Sequence, residues 1–190
     1  VTGRLLTDAS GIDRAVYRAI AATPTPTLDT AMRRLSRAAD YSKLSMASGA
    51  ALALLGGRTG RRAAASGIAC VAATSATVNL VVKPVARRRR PNRVEDGVPS
   101  DRHVEMPMSA SFPSGHTAAA VAFASGAGRV APLTSAPLHV LAALVGYSRV
   151  HTGVHYPGDV VAGALIGAVI SDLAATLVGR TIAIVPAIKA

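Results

Sequence analysis

The sequence predicts an all-α fold, a polytopic transmembrane helix bundle with about five crossings preceded by amphipathic interfacial helices. Three observations carry that expectation. Half of the 190 residues are hydrophobic and only 16% are charged, against about 25% in an ordinary soluble domain. The apolar residues gather into five uninterrupted stretches. They are also thin: aromatics make up 3% of the chain, Trp is absent, and Ala, Val, Leu and Gly supply the bulk, as in helices that pack closely in lipid. A disordered basic arm is excluded because it would be poor in apolar residues. With Cys70 as its one cysteine the chain holds no intramolecular disulfide.

Residues 1–43 read as membrane-surface helices. From 11 to 22, Ile12, Ala15, Val16, Ala19 and Ile20 recur at helical spacing while Asp13, Arg14 and Arg18 point elsewhere. Thr23-Pro24-Thr25-Pro26-Thr27 breaks the pattern. It returns with Leu28, Ala31, Met32, Leu35 and Ala38 set against Arg33, Arg34 and Arg37. Two basic amphipathic helices lying on a membrane fit this pattern, and the same stripe would serve a helical hairpin packed on protein. Arg and Asp interrupt any signal-peptide core.

Residues 44–180 hold the apolar stretches 44–57, 63–82, 117–130, 133–147 and 160–178. Only the second and fifth reach the roughly 20 residues that span a bilayer unaided. The other three, taken singly, would suit buried helices of a soluble bundle. Together the five leave too little amphipathic surface to coat them. Gly163 and Gly167 form a GxxxG pair in the last stretch. A short tail, 181–190, ends the sequence.

Lys and Arg number 21 against 10 Asp and Glu. If all five stretches cross, the segments before 44, from 83 to 113 and from 148 to 159 share one side, which carries 15 of those 21 basic residues. The positive-inside rule puts that side in the cytoplasm.

Two loops on the basic side contain polar groups that membrane packing does not require. Lys83, Arg90 and Arg149 are cations expected at helix C-termini, able to hold an anion. Ser114 and Gly115 open the third apolar helix, so their backbone N–H groups and its dipole would face the same anion, most simply a phosphate. His155 and Asp159 are four apart, which lets the carboxylate fix the imidazole tautomer and leaves the second nitrogen free to attack. His116 could then protonate the departing oxygen.

These residues fall into three signatures: Lys83 to Pro91 fits KxxxxxxRP, Pro113 to His116 reads PSGH, and Ser148 to Asp159 fits SRxxxxxHxxxD. In that order, with apolar helices between them, they resemble the type 2 phosphatidic acid phosphatase superfamily. The resemblance implies a lipid phosphate substrate, His155 as the nucleophile forming a phosphohistidine, Asp159 as its orienter and His116 as general acid. It implies that Lys83, Arg90, Arg149, Ser114 and Gly115 bind the phosphoryl oxygens, with no metal or other cofactor.

The Ala and Arg richness reads as a high-GC bacterium, and the compact size resembles actinobacterial members of that superfamily; the resemblance implies a polyprenyl-linked substrate such as decaprenylphosphoryl-5-phosphoribose at the cytoplasmic face of the plasma membrane, the side the charge count favours. Phosphatidylglycerol phosphate, phosphatidic acid, prenyl phosphates and undecaprenyl diphosphate stay open as alternatives. Family members commonly cross the membrane six times, so the N-terminal topology departs from the pattern.

Rival readings are weaker. His151, His155 and Asp159 at four-residue intervals suggest a metal triad, but Gly153 and Pro157-Gly158 argue against the continuous helix it needs. Nucleic-acid binding by Arg87 to Arg90 lacks aromatics for stacking, and those extra arginines read as contacts to anionic headgroups. A vanadate-dependent haloperoxidase would be soluble and larger. A silent membrane scaffold would not need the whole constellation.

Overall fold

The computed structural model describes residues 2–184, with side chains for 7–176. Every regular element among them is helical. In chain order these are α1 (Thr2–Ala22), α2 (Pro26–Ala38), α3 (Lys43–Leu55), α4 (Gly57–Thr77), α5 (Lys83–Ala86), α6 (Gly115–Val130), α7 (Ser135–His151) and α8 (Pro157–Ile184). A π-helical turn, Val78–Val82, joins α4 to α5 without a break. Of the expected tail, 181–184 continue α8, and 185–190 lie outside the described residues.

The bundle is built around α6, which packs on α4, α7 and α8. Small side chains make this contact: Ala63, Val71, Ala119 and Ala127 enclose Phe123. The GxxxG pair acts here. A Cβ on Gly163 or Gly167 would collide with the carbonyl oxygens of Ser114 and Ala118, so α8 approaches the first turns of α6 at backbone distance.

The outer surface has the inverse chemistry. Along α8 the inward face carries Asp159, Gly163, Gly167 and Ser171, all buried, while Val161, Leu165, Val169 and Leu173 stand exposed at intervals of four. A water-soluble helix would turn the large apolar stripe inward. Leu54, Leu80 and Val140 likewise point away from the core. Two helical runs, Gly57–Ala86 and Pro157–Thr176, are long and apolar enough to cross a bilayer; they cover the two long stretches of the sequence. At 13, 16 and 17 residues, α3, α6 and α7 fall short of that length.

The N-terminal helices pack on the bundle, so the amphipathic stripe is divided between two partners. Tyr17 and Ala21 join Val98 and Val150 in a second core cluster, and Met32 and Ser36 are buried, whereas Ile12 and Val16 remain exposed. Arg102, counted above with the membrane-facing charge, is fully buried. It donates to the carbonyls of Ile20 (2.9 Å) and Thr23 (2.6 Å) and pairs with Asp29 at 2.9 Å, bracing the turn between α1 and α2.

Candidate active site

Three segments meet at one end of the bundle. The first begins where α5 stops: Arg87 adopts a left-handed conformation (φ 45°) that ends the helix, so Arg90 sits in the following loop and not at a helix terminus. That loop returns to Ser114, which caps α6 by accepting from the Thr117 amide and hydroxyl (3.4 and 2.9 Å). The second segment is the end of α7 with Arg149. Gly153 at φ 74°, a backbone state glycine adopts readily, turns the chain so that the amides of Val154 and His155 both donate to the Arg149 carbonyl. The third is the start of α8, which begins at Pro157, leaving His155 just outside it and Asp159 in its first turn. The Ser114 amide donates to the Asp159 carbonyl at 2.9 Å and ties the second signature to the third; this corrects the expectation that it faces the anion, since its one N–H is already used.

His155 and Asp159 are buried together. His155 Nδ1 lies 3.4 Å from Asp159 Oδ2, and its Nε2 lies 3.1 Å from Arg90 Nη1. A guanidinium only donates, so Nε2 accepts and the ring proton belongs on Nδ1, facing the carboxylate. Burial, with Arg90 and Arg149 adding to it and Asp159 opposing, pulls the His155 pKa down to about 4, so the imidazole is neutral at pH 7.

Arg90 is held from behind: Nε donates to the Ser109 carbonyl (2.9 Å) and Nη1 to that of Val154 (2.8 Å). Burial and the neighbouring Arg149 lower its pKa to about 10, and it remains charged. Lys83 donates to the Ser109 hydroxyl at 3.0 Å. A Cβ added to Gly115 would sit 3.5 Å from Lys83 Nζ, so the start of α6 faces this cation.

Arg149 is almost fully buried and divided in function. Its Nη1 is anchored on Ser36 (Oγ 2.7 Å, carbonyl 3.0 Å) and Asp40 (3.3 Å). Its Nε and Nη2 are buried without a partner among the described residues. A buried guanidinium edge with two parallel unsatisfied donors matches the geometry of a phosphate or carboxylate.

His116 shares Asp40 with Arg149: its Nε2 lies 3.0 Å from the same Oδ1 that accepts from Arg149 Nη1. Burial, then Arg149, His155, Lys83 and Arg90, drives its pKa down to about 2. A cavity of about 350 Å³ lined by Asp40, Glu105, Met106 and His116 opens beside it. His151 points away from these groups, with Nε2 2.8 Å from Asp29.

The structure adds residues that the signatures do not contain. Arg88, read from sequence as a headgroup contact, is half-buried and forked between two acids: Nη1 to Asp159 Oδ1 at 2.8 Å and Nη2 to Asp13 Oδ2 at 2.6 Å. That corrects the reading, while Arg87 and Arg89 of the same run remain exposed. Asp13 also accepts from the Gly158 amide at 2.6 Å. Ser111, fully buried, donates to Asp159 Oδ2 at 2.5 Å, and Ser36 and Asp40 hold Arg149. The available signal was acidity: Asp13 and Asp40 are isolated carboxylates in a basic N-terminal region.

Known proteins resemble this chain in sequence and in fold. A decaprenylphosphoryl-5-phosphoribose phosphatase of Mycolicibacterium smegmatis is 38% identical over 153 residues, covering 78% of this chain and 77% of that one. A protein of the same name from Mycobacterium tuberculosis is 35% identical over 97 residues, covering 50% of this chain; the match spans about half of the relative's length (51%). The crystal structure of a transmembrane PAP2-type phosphatidylglycerolphosphate phosphatase from Bacillus subtilis shares the fold with a TM-score of 0.66 at 23% identity, covering 91% of this chain and 87% of that one. Residues 64–183, which contain all three signatures, match the PAP2 superfamily, and the chain belongs to that superfamily.

Proposed function

We propose that the protein is an integral-membrane lipid phosphate phosphatase that removes a phosphomonoester by double displacement through a phosphohistidine on His155. The observation that carries this reading is the placement of His155 Nε2, unprotonated and turned toward Arg90, with Nδ1 held on the Asp159 side.

In the first step the Nε2 lone pair attacks phosphorus and the P–O bond to the lipid breaks. His116 delivers a proton to the departing oxygen. Lys83, Arg90, the free Nε/Nη2 edge of Arg149 and the Gly115 amide hold the phosphoryl oxygens as charge builds on them. Asp159 stabilises the imidazolium that forms on His155. In the second step water attacks phosphorus, the P–N bond breaks, and His116 takes the water's proton. A substrate phosphate places negative charge among the cations that depress His116, which moves its titration upward toward the value a general acid needs. No step calls for a metal.

A polyprenyl-linked substrate such as decaprenylphosphoryl-5-phosphoribose is supported by the names of the mycobacterial relatives. The cavity beside His116 has Asp40 and Glu105 on its wall together with Met106, Pro107 and Met108, and the two carboxylates suit a hydroxylated leaving group. All five apolar stretches are taken to cross the plasma membrane of a bacterium, with the site on the cytoplasmic side. Burial of Arg102 leaves that orientation argument intact, because the rule counts Lys and Arg near the membrane and not their later pairing. The experiment is turnover by purified protein of a panel of polyprenyl and glycerolipid phosphates. The reading expects the highest kcat/KM on the phosphoribosyl lipid, and preference for phosphatidic acid contradicts it.

A further inference from the structure

A second cavity, of about 450 Å³, lies against the outer side of Arg90. Four arginines line it: Arg14 and Arg18 from α1, and Arg89 and Arg90 from the basic loop. Glu95 and Asp96 line it as well. Their charges are unevenly committed. Asp96 accepts from Arg18 at 2.8 Å, which neutralises both. Arg90 is turned toward His155 and the Ser109 and Val154 carbonyls. Arg14 and Arg89 have no hydrogen-bond or ion-pair partner among the described residues, and both are exposed. Glu95 alone offsets them. Glu95 cancels one of these two charges, so one uncompensated guanidinium charge shares the cavity with Arg90, which also belongs to the phosphate site, an arrangement that repels itself until an anion enters.

We propose that this cavity is a second anion subsite, selecting substrates that carry a phosphodiester or second phosphate in addition to the phosphomonoester that is cleaved. This rests on the phosphatase reading above. The same geometry explains how one site would distinguish a lipid with two phosphoryl groups from phosphatidic acid, which has one: Arg90 is common to both subsites, and the second phosphoryl group docks on its far side against Arg14 and Arg89. An anionic membrane headgroup offers the same chemistry and is the other source of the anion.

The test compares the full chain with an Arg14→Gln/Arg89→Gln variant in neutral detergent micelles, on two substrates. One is a short-chain prenylphosphoryl-5-phosphoribose; the other is an alkyl riboside 5-phosphate, which keeps the cleaved phosphomonoester and lacks the phosphodiester. For the first, kcat/KM is expected to fall about ten-fold through KM, since two charge-assisted contacts are lost. For the second it is expected to stay within about two-fold, because neither arginine touches the reacting phosphate. A further arm uses phosphatidylcholine vesicles with and without phosphatidylglycerol. Losses confined to phosphatidylglycerol vesicles, and equal on both substrates, support the subsite with the headgroup as its anion. Equal losses on both substrates in neutral micelles, or no loss in any arm, overturn the subsite. If the unmodified protein turns over neither substrate, the phosphatase reading fails separately. The subsite is then read by calorimetric titration with inorganic pyrophosphate, where weaker binding by the variant supports it and unchanged binding overturns it.

Discussion

Arg88 is the direct ion-pair partner of Asp159, with Nη1 2.8 Å from Oδ1, while its second nitrogen holds Asp13 of α1 at 2.6 Å. The carboxylate beside His155 Nδ1 is therefore positioned from two sides, by Ser111 within the loop and by an arginine anchored on the N-terminal helix. The Arg88 guanidinium also stacks 4.4 Å from the centre of the Tyr156 ring, which fixes its plane.

Replacing Arg88 by Gln frees Asp159 to rotate and costs alignment of the attacking imidazole. We expect kcat to fall about 10- to 100-fold with KM changed far less, the loss that a misplaced reacting group produces. Arg88→Lys will not restore it, since one ammonium cannot bridge two carboxylates with parallel N–H donors. Steady-state kinetics of the two variants check this; a loss confined to KM contradicts it.

The N-terminal helix reaches Asp159 through the same contact. Asp13→Asn keeps the side-chain shape but removes the charge that holds Arg88, so kcat should fall by about three- to ten-fold. The double variant with Arg88→Gln should be no worse than Arg88→Gln alone, because both act through one interaction. Additive losses would separate the two residues.

His155 sets a pH dependence of stability. Its pKa in the fold, about 4, lies below the ordinary value of 6.5, so the unfolded chain binds the proton more readily. The stability that neutral His155 contributes is complete above pH 6.5. It declines as pH falls through that value and levels off below about pH 4, with a total of at most about 3 kcal/mol. Thermal unfolding of the protein and of His155→Gln between pH 4 and 7.5 tests the sign: the variant should lose less stability on acidification.

Arg149 depends on its anchor. Ser36→Ala removes the 2.7 Å bond to Nη1 and lets the guanidinium drift from its phosphate-facing orientation. KM should rise about five-fold, the scale of one hydrogen bond to a charged group, with kcat affected less. A fall in thermal stability without a KM change would assign Ser36 a packing role alone.

These residues also mark how far the sequence could be read. Helices α3, α4, α6, α7 and α8 follow from the five apolar stretches, because burial against lipid or protein needs long apolar runs whatever the tertiary detail. Lys83, Arg90, Ser114, Gly115, His116, Arg149, His155 and Asp159 were legible as a set because their spacing matches a known pattern, and the fold brings them to one end of the bundle. Arg88 was not legible. In four consecutive arginines nothing local distinguishes the one that turns inward; that choice is made by the left-handed turn at Arg87 and by where Asp13 waits. Asp13, Ser36 and Asp40 lie far from the signatures in sequence, and their contacts exist only because α1 and α2 fold onto the catalytic end. The amphipathic stripe suggested a surface but could not say that Tyr17, Ala21 and Met32 would turn toward protein while Ile12 and Val16 stay outward.

The central claim is covalent catalysis at His155. Rapid quenching in base during turnover of a substrate labelled in the phosphate, followed by peptide mapping, should recover a base-stable, acid-labile phosphoryl group on the peptide carrying His155. Label recovered on another residue, or full turnover by His155→Ala, would contradict the account.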